Sequence, residues 1–153
     1  MAVPDALAAA FADNNAAVFI GAGLSAGAGL PTWNALIDPL RPSISDCPDD
    51  ATSIDVAQFY CNEFNNTDLV NLLKSRVGAG KGRPTPAHRI VVNELMLSRV
   101  YTTNFDCLLE DACKKLRPFE RIYDDGAAAS LDANPSSSTL RIVKLHGDFE
   151  QPA

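Results

Sequence analysis

The sequence predicts an α/β fold in which helices flank a parallel sheet, and three observations lead to this. Short runs at residues 16–20, 99–102 and 140–145 are typical of strands buried in a parallel sheet. Longer stretches with helical periodicity lie between these runs. Small, polar or titratable residues follow each run directly. Since ligands collect at the carboxyl ends of parallel strands, these residues are expected to converge on one crevice.

Helices are predicted where apolar residues recur at helical spacing next to capping residues. Thr32 is placed to cap one helix, and Thr85 with Pro86 to start another. The predicted helices span residues 4–14, 32–40, 53–64, 67–77, 86–97 and 105–116. A further short strand is predicted at 119–123, and loops are predicted at 41–52, 78–86 and 126–138.

Length and composition favour one globular domain, residues 1–153, with 46% hydrophobic and 21% charged residues. The net charge is −6 and the lysines and arginines are scattered, which disfavours direct nucleic-acid binding. No signal peptide or membrane-spanning run is recognisable, so the predicted location is cytoplasmic. The four cysteines form no C-x-x-C pair; we expect reduced thiols, mostly buried, and no metal site.

The first strand leads into Gly21-x-Gly23-x-x-Ala26 and a helix, which matches the relaxed dinucleotide-binding fingerprint of Rossmann-like folds. Gly21 would permit a tight turn and Gly23 a close approach to pyrophosphate. Ser25 could donate its hydroxyl hydrogen to a phosphate or ribose oxygen. The motif alone is equally compatible with a simple tight turn. No acidic residue follows a second strand at the spacing of NAD dehydrogenases, which disfavours hydride transfer.

Two side chains at strand ends are candidates for chemistry. Asn104 could hold a water or a ribose hydroxyl, or could instead cap the next helix. His146 could act as a base near neutral pH, or could be structural. From local sequence Asp106 suits a helix start, Trp33 suits a core, and His88 is interpreted as structural or surface.

Three segments together resemble sirtuin motifs, in the order in which that family has them. They are residues 21–33 (Gly-Ala-Gly-Leu-Ser through Pro31-Thr32-Trp33), residues 102–106 (Thr-Thr-Asn-Phe-Asp) and residues 144–148 (Lys-Leu-His-Gly-Asp). The resemblance spans about residues 16–149. Protein-deacetylating sirtuins carry Asp-Phe-Arg where this chain has Thr32-Trp33-Asn34, and a zinc ribbon that is not found here. The chain is more similar to bacterial sirtuin-like domains that hydrolyse NAD in antiphage defence.

The resemblance implies an NAD⁺ glycohydrolase that releases nicotinamide, uses no metal, and acts in defence by depleting NAD. Asn104 and His146 would be the catalytic pair: Asn104 would orient the ribose or the attacking water, and His146 would be the general base. The implied residues around NAD are Gly21, Ala22, Gly23, Ser25, Ala26, Pro31, Trp33, Thr103, Asn104, Asp106 and His146.

A doubly wound sheet has roughly six strands, whereas at most four are predicted here. We therefore expect a sirtuin-like sheet that is incomplete at its C-terminal side, the N-terminal portion of a longer family domain. An exposed sheet edge would favour a homo-oligomer or a partner subunit. Two alternatives to hydrolysis stay open: a module that binds NAD or ADP-ribose without turnover, or serves as an assembly subunit, and, less favoured, an NAD-dependent protein deacylase.

Overall fold

Four parallel strands form one sheet in a computed structural model that describes residues 3–13, 16–123 and 138–149. The strands are β1 (Val18–Ile20), β2 (Arg99–Thr102), β3 (Phe119–Ile122) and β4 (Leu140–Lys144). Their spatial order is β1-β2-β4-β3, and every neighbouring pair is parallel. The register places Ile20 opposite Thr102, and Thr102 opposite Lys144. The predicted parallel α/β sheet is confirmed, and the carboxyl ends of its three neighbouring strands share one edge.

Seven α-helical segments lie in the described part of the chain: α1 (Asp5–Ala12), α2 (Ala22–Ala26), α3 (Trp33–Ile37), α4 (Ser53–Glu63), α5 (Asn66–Val77), α6 (Pro86–Arg89) and α7 (Leu108–Cys113). Side chains cap several of their starts. The Thr32 hydroxyl accepts the Ala35 N–H, and Asn65 accepts the Asp68 N–H. Among the described residues no helix is both long and apolar enough to cross a bilayer.

Two apolar clusters build the interior. The first packs α7 and the segment after α6 against one face of the sheet, with Val100, Leu109 and Ile142 at its centre. The second joins α3, α4 and α5 through Ile37, Val56 and Leu73. The loops that follow the strands therefore lie between the sheet with its first cluster and the layer formed by α3, α4 and α5.

The prediction that β1 is buried on both faces is wrong. Phe19 is 72% exposed and stacks on Tyr101, with ring centroids 5.0 Å apart. Val18 and Ile20 pack against the first cluster, and side-chain alternation along the strand points Phe19 to the opposite face, where it is exposed.

Several predicted helices are shorter in the structure. The helix predicted at 32–40 is α-helical only to Ile37 and continues as a 3₁₀ segment, Asp38–Ser43. Pro39 and Pro42 in this segment have no N–H group to donate. The helix from Pro86 changes to a π-helical turn, Ile90–Glu94. The helix predicted from 105 begins at Leu108.

Other predictions concern the cysteines and the loops. All four cysteines are free, but only Cys113 is buried, so the expectation of mostly buried thiols is corrected. Asn14 and Asn15, and nearly all of the predicted 126–138 loop, lie outside the described residues.

Candidate functional site

The glycine turn after β1 forms one side of the site. Gly21 precedes α2, and its carbonyl accepts the Leu24 N–H in a turn at 3.1 Å; its φ of −113° is an extended conformation that does not require glycine. A Cβ added at Gly21 or Gly23 would meet no atom within 4 Å. The chain's own packing therefore requires neither glycine, and the space beside both is open to a ligand.

The loop after β2 is fastened to this turn by Thr102. The Thr102 hydroxyl donates to the Ile20 carbonyl at 3.0 Å and accepts the Asn104 N–H at 3.0 Å. The Thr103 N–H also donates to the Ile20 carbonyl, at 3.2 Å. These bonds extend the β1–β2 pairing past the strands and bring Asn104 to the glycine turn.

The Asn104 carboxamide has a defined orientation. Its Nδ2 donates to the Gly21 carbonyl at 3.2 Å and to Ser25 Oγ at 3.0 Å. Both amide hydrogens are used within the protein, so Oδ1 is the end that can accept a hydrogen bond from a bound molecule. The alternative that Asn104 caps the next helix is excluded, since α7 begins only at Leu108.

Ser25 and Asp106 continue this network inward. The Ser25 hydroxyl donates to Asp106 Oδ2 at 2.7 Å, and Asp106 Oδ1 accepts the Leu108 N–H at 3.0 Å. Both side chains are buried. The hydroxyl hydrogen that sequence analysis assigned to a phosphate or ribose oxygen is therefore directed to Asp106, so Ser25 acts inside the protein.

His146 comes from the third strand end. The Leu145 N–H donates to the Thr102 carbonyl at 2.9 Å, which ties the loop after β4 to β2. Gly147 has φ +72° and closes a turn through its N–H to the Lys144 carbonyl. The exposed imidazole lies beside Phe105, with ring centroids 6.3 Å apart.

These three strand ends open into one cavity of about 450 Å³. Of the residues predicted around the nucleotide, eight line it: Ala22, Ser25, Pro31, Trp33, Thr103, Asn104, Asp106 and His146. Gly21 does not line it but contributes its carbonyl to Asn104. Gly23 and Ala26 lie exposed on α2, outside the lining. The predicted convergence of the three motifs is thus found in the structure.

Sequence reasoning missed the apolar side of the cavity, formed by Leu30, Leu36, Ile54, Val77 and Phe105. Most of these residues belong to the helical layer or to the segment before it. Their apolar character indicated only that they pack, and no local signal distinguishes a cavity wall from a core. The Trp33 indole N–H on this side is buried and meets no acceptor among the described residues.

A buried charge cluster, also missed, lies behind the two loops. Lys144 Nζ is 3.2 Å from Glu110 Oε1 and 3.2 Å from Asp148 Oδ2. Burial alone would lower the pKa of Lys144, but the Glu110 and Asp148 carboxylates outweigh it and raise that pKa. Burial raises the pKa of Glu110, and Lys144 opposes this.

Cys107, Glu110 and Asp148 have ligand atoms within 4.8 Å of one another, the spacing of a metal site. Burial, followed by the charge of Glu110, raises the pKa of Cys107 to about 11. The Lys144 ammonium lies 3.2 Å from an oxygen of each carboxylate and would repel a metal cation placed among these groups.

His88 is structural, in line with one of its two sequence interpretations. The ring is fully buried, and Nδ1 accepts the Thr85 N–H at 3.2 Å and lies 2.8 Å from Thr85 Oγ1. It thereby closes a capping box at the start of α6. Burial lowers the pKa of His88, which the charge of Asp106 partly offsets.

Comparison with known proteins matches residues 98–153 to the family model of a SIR2-like domain. The chain is 34% identical over 143 residues to the NAD(+) hydrolase ThsA of Acinetobacter baumannii (strain 532279), and 31% identical over 144 residues to that of Bacillus cereus (strain MSX-D12). Each alignment covers 92% of this chain and 29% of the relative. Defense-associated sirtuin 2 of Bacillus subtilis is 26% identical over 139 residues, 87% of this chain and 13% of the relative. The chain thus spans less than a third of the length of these relatives.

Proposed function

We propose that this chain, a sirtuin-like domain, binds NAD⁺ in the cavity at its strand ends and hydrolyses the bond between nicotinamide and ribose. One observation carries the proposal: Asn104 and His146, from different strand ends, line the same cavity as the residues of the glycine turn. Relatives named NAD(+) hydrolase align along nearly the whole chain, which supports the same chemistry.

The proposed reaction breaks one bond and forms one. The electron pair of the nicotinamide–ribose bond leaves with the nicotinamide nitrogen, and positive charge develops on the ribose. A water oxygen then bonds to the same ribose carbon and loses a proton, which gives ADP-ribose. A site for this reaction must hold the water, accept its proton and tolerate the positive charge.

Asn104 is proposed to orient the ribose or the attacking water. Because Gly21 and Ser25 take both hydrogens of its amide nitrogen, Oδ1 accepts from a hydroxyl or water. The Asp106 carboxylate, which also lines the cavity, supplies negative potential for the developing positive charge. His146 is proposed to be the base that takes the proton from water or from a ribose hydroxyl.

The remaining contacts follow from what lines the cavity. The open space beside Gly21 and Gly23, at the start of α2, suits the diphosphate. The apolar wall that includes Trp33 and Leu36 suits a flat ring of the dinucleotide. Depletion of NAD⁺ in antiphage defence is the proposed biological outcome. Residues 1–153 are proposed to belong to one sirtuin-like domain.

The test measures nicotinamide release from NAD⁺ by the full-length protein and by Asn104→Ala and His146→Ala. Each variant is expected to lose about 100-fold or more in kcat. Asn71→Ala, on the exposed side of α5, is the matched control and should keep the wild-type rate. Full turnover in both site variants would contradict the proposed roles.

Calorimetry with NAD⁺ and ADP-ribose separates hydrolysis from the alternative of a binding module. Saturable binding by a folded wild-type protein that releases no nicotinamide would replace the hydrolase proposal with that alternative. Absence of both binding and release would remove both.

A further inference from the structure

Lys144, at the end of β4, contacts the loop that carries Asn104. The side chain is 2% exposed, and Nζ donates to the Asp106 carbonyl at 2.8 Å and lies 3.4 Å from the Phe105 carbonyl. These carbonyls belong to the first and second residues after Asn104. The lysine therefore holds the backbone of this loop directly, from the neighbouring strand.

The same ammonium group also contacts two carboxylates. Glu110 belongs to the first turn of α7, and Asp148 follows His146 by two residues. Each has an oxygen 3.2 Å from Nζ, and Asp148 also accepts from Arg121 Nη1 at 3.3 Å. Among the described residues, the cluster thus includes the two cations Lys144 and Arg121 and the two anions Glu110 and Asp148.

We propose that Lys144 is a positioning residue that fixes the loop of Asn104 relative to the loop of His146. An ammonium group is retained in a buried place only where it is fully paired. Here its partners belong to the two loops of the candidate site and to the helix between them. Because two side chains from separate strand ends must act on one substrate, a small change in their spacing is expected to slow the reaction strongly.

The catalytic part of this inference rests on the proposed hydrolase function, so the test needs a second, independent readout. Lys144→Met alone would leave Glu110 and Asp148 short of a cation, which destabilises a buried cluster. The double variant Lys144→Met/Glu110→Gln instead removes one charge of each sign. Asp148 then keeps its contact with Arg121.

Glu110→Gln is the reference for the double variant, because it retains the lysine contacts to both carbonyls and to Asp148. Lys74→Met, on the exposed side of α5, controls for the loss of a lysine and should keep the wild-type kcat. The measurements are kcat and KM for nicotinamide release, corrected for the folded fraction, and hydrogen exchange of the backbone amides of residues 103–108.

Relative to Glu110→Gln, the double variant is expected to lose about tenfold or more in kcat with little change in KM, as for a mispositioned group. The amides of residues 103–108 should exchange faster. Equal kcat and equal protection in the two variants would overturn the inference. If the wild-type protein releases no nicotinamide, the proposed function fails, while hydrogen exchange still decides whether Lys144 holds the loop.

If the double variant does not fold, Lys144→Arg is the deciding variant. It keeps the charge, but its planar guanidinium cannot reproduce the contacts of an ammonium group. A reduced kcat in the folded Arg variant supports positioning, and a wild-type kcat overturns it. If every replacement of Lys144 unfolds the protein, its role is in folding and the inference is likewise overturned.

Discussion

At Asn104 one carboxamide is aligned by partners from the glycine turn. Each hydrogen bond has a defined direction. Asn104 Nδ2 donates to the Ser25 hydroxyl, and that hydroxyl donates to Asp106 Oδ2. The Leu108 N–H donates to the other oxygen, Asp106 Oδ1. The sequence predicted that Asn104 and Ser25 belong to the site. It could not predict the direction of the bonds, because Ser25 could equally have pointed its hydrogen at a ligand.

Ser25→Ala tests this chain of hydrogen bonds. The variant leaves the buried Asp106 without one donor and Asn104 without one acceptor, so we expect a loss of about 1–3 kcal/mol in the free energy of unfolding. The unrestrained amide should also lower kcat for nicotinamide release by about 10- to 100-fold. Urea denaturation and the release assay measure the two effects. Ser75→Ala, whose hydroxyl bonds only within α5, should change neither.

His88 predicts how stability depends on pH. Its pKa in the folded protein is lowered by burial below the ordinary value of 6.5, so the unfolded state binds more protons as the pH falls. The stability that the neutral ring provides is present above that value and is lost as the pH falls through the folded-state pKa. Denaturation midpoints measured from about pH 8 down to about pH 5 should therefore decrease.

His88→Gln should make this decrease shallower, because glutamine can fill the same place in the capping box without gaining a proton. His146 is present in both proteins and does not enter the comparison. An equally steep decrease in the variant would show that another group causes the acid sensitivity.

At the scale of elements, helix starts were predicted better than helix ends. The predicted helix starts at Thr32 and Thr85 are found, and each side chain contacts the residue three positions later. Helix ends depend on what the next residues contact elsewhere. The early end of α6 and its π-helical continuation follow no local signal.

Asn65→Ala removes the cap of α5, the helix that carries Leu73 into the second cluster and Val77 to the cavity. We expect a loss of about 1 kcal/mol in the free energy of unfolding, measured by urea denaturation. Asn71→Ala in the middle of the same helix should be neutral or slightly stabilising, since alanine has the higher helix propensity. An equal loss in both variants would mean that the cap contributes nothing specific.

For the whole molecule, the sequence predicted the parallel sheet and the meeting of its strand ends. Each motif follows a strand directly, and parallel pairing brings strand ends to one edge. The apolar cavity wall was not predicted, because Ile54 and Val77 reach it only through the packing of α3, α4 and α5 on one another. The buried ion pair of Lys144 with Glu110 could not be predicted either, because the two residues are far apart in the sequence.

Self-association of the chain remains a prediction, and the exposed side chain of Phe19, which stacks on Tyr101, is where we expect it. Phe19 of the edge strand β1 stacks on Tyr101 of the neighbouring strand β2 and offers exposed apolar area to a second copy. We expect the purified protein to associate in sedimentation velocity, and Phe19→Glu to shift it toward the monomer. Val3→Glu, also at an exposed apolar residue, should not. A monomeric wild-type protein would end this prediction.

The open space beside Gly23 means that folding and ligand recognition place different demands on this position. A Cβ added at Gly23 would meet no atom within 4 Å, and alanine in place of glycine favours a helix by about 0.5–1 kcal/mol. Gly23→Ala should therefore melt at a higher temperature than the wild type and, under the proposed placement of the diphosphate beside Gly23, bind NAD⁺ more weakly. A screen for thermal stability alone would therefore favour alanine at this position, whereas a screen for the proposed NAD⁺ binding would favour glycine.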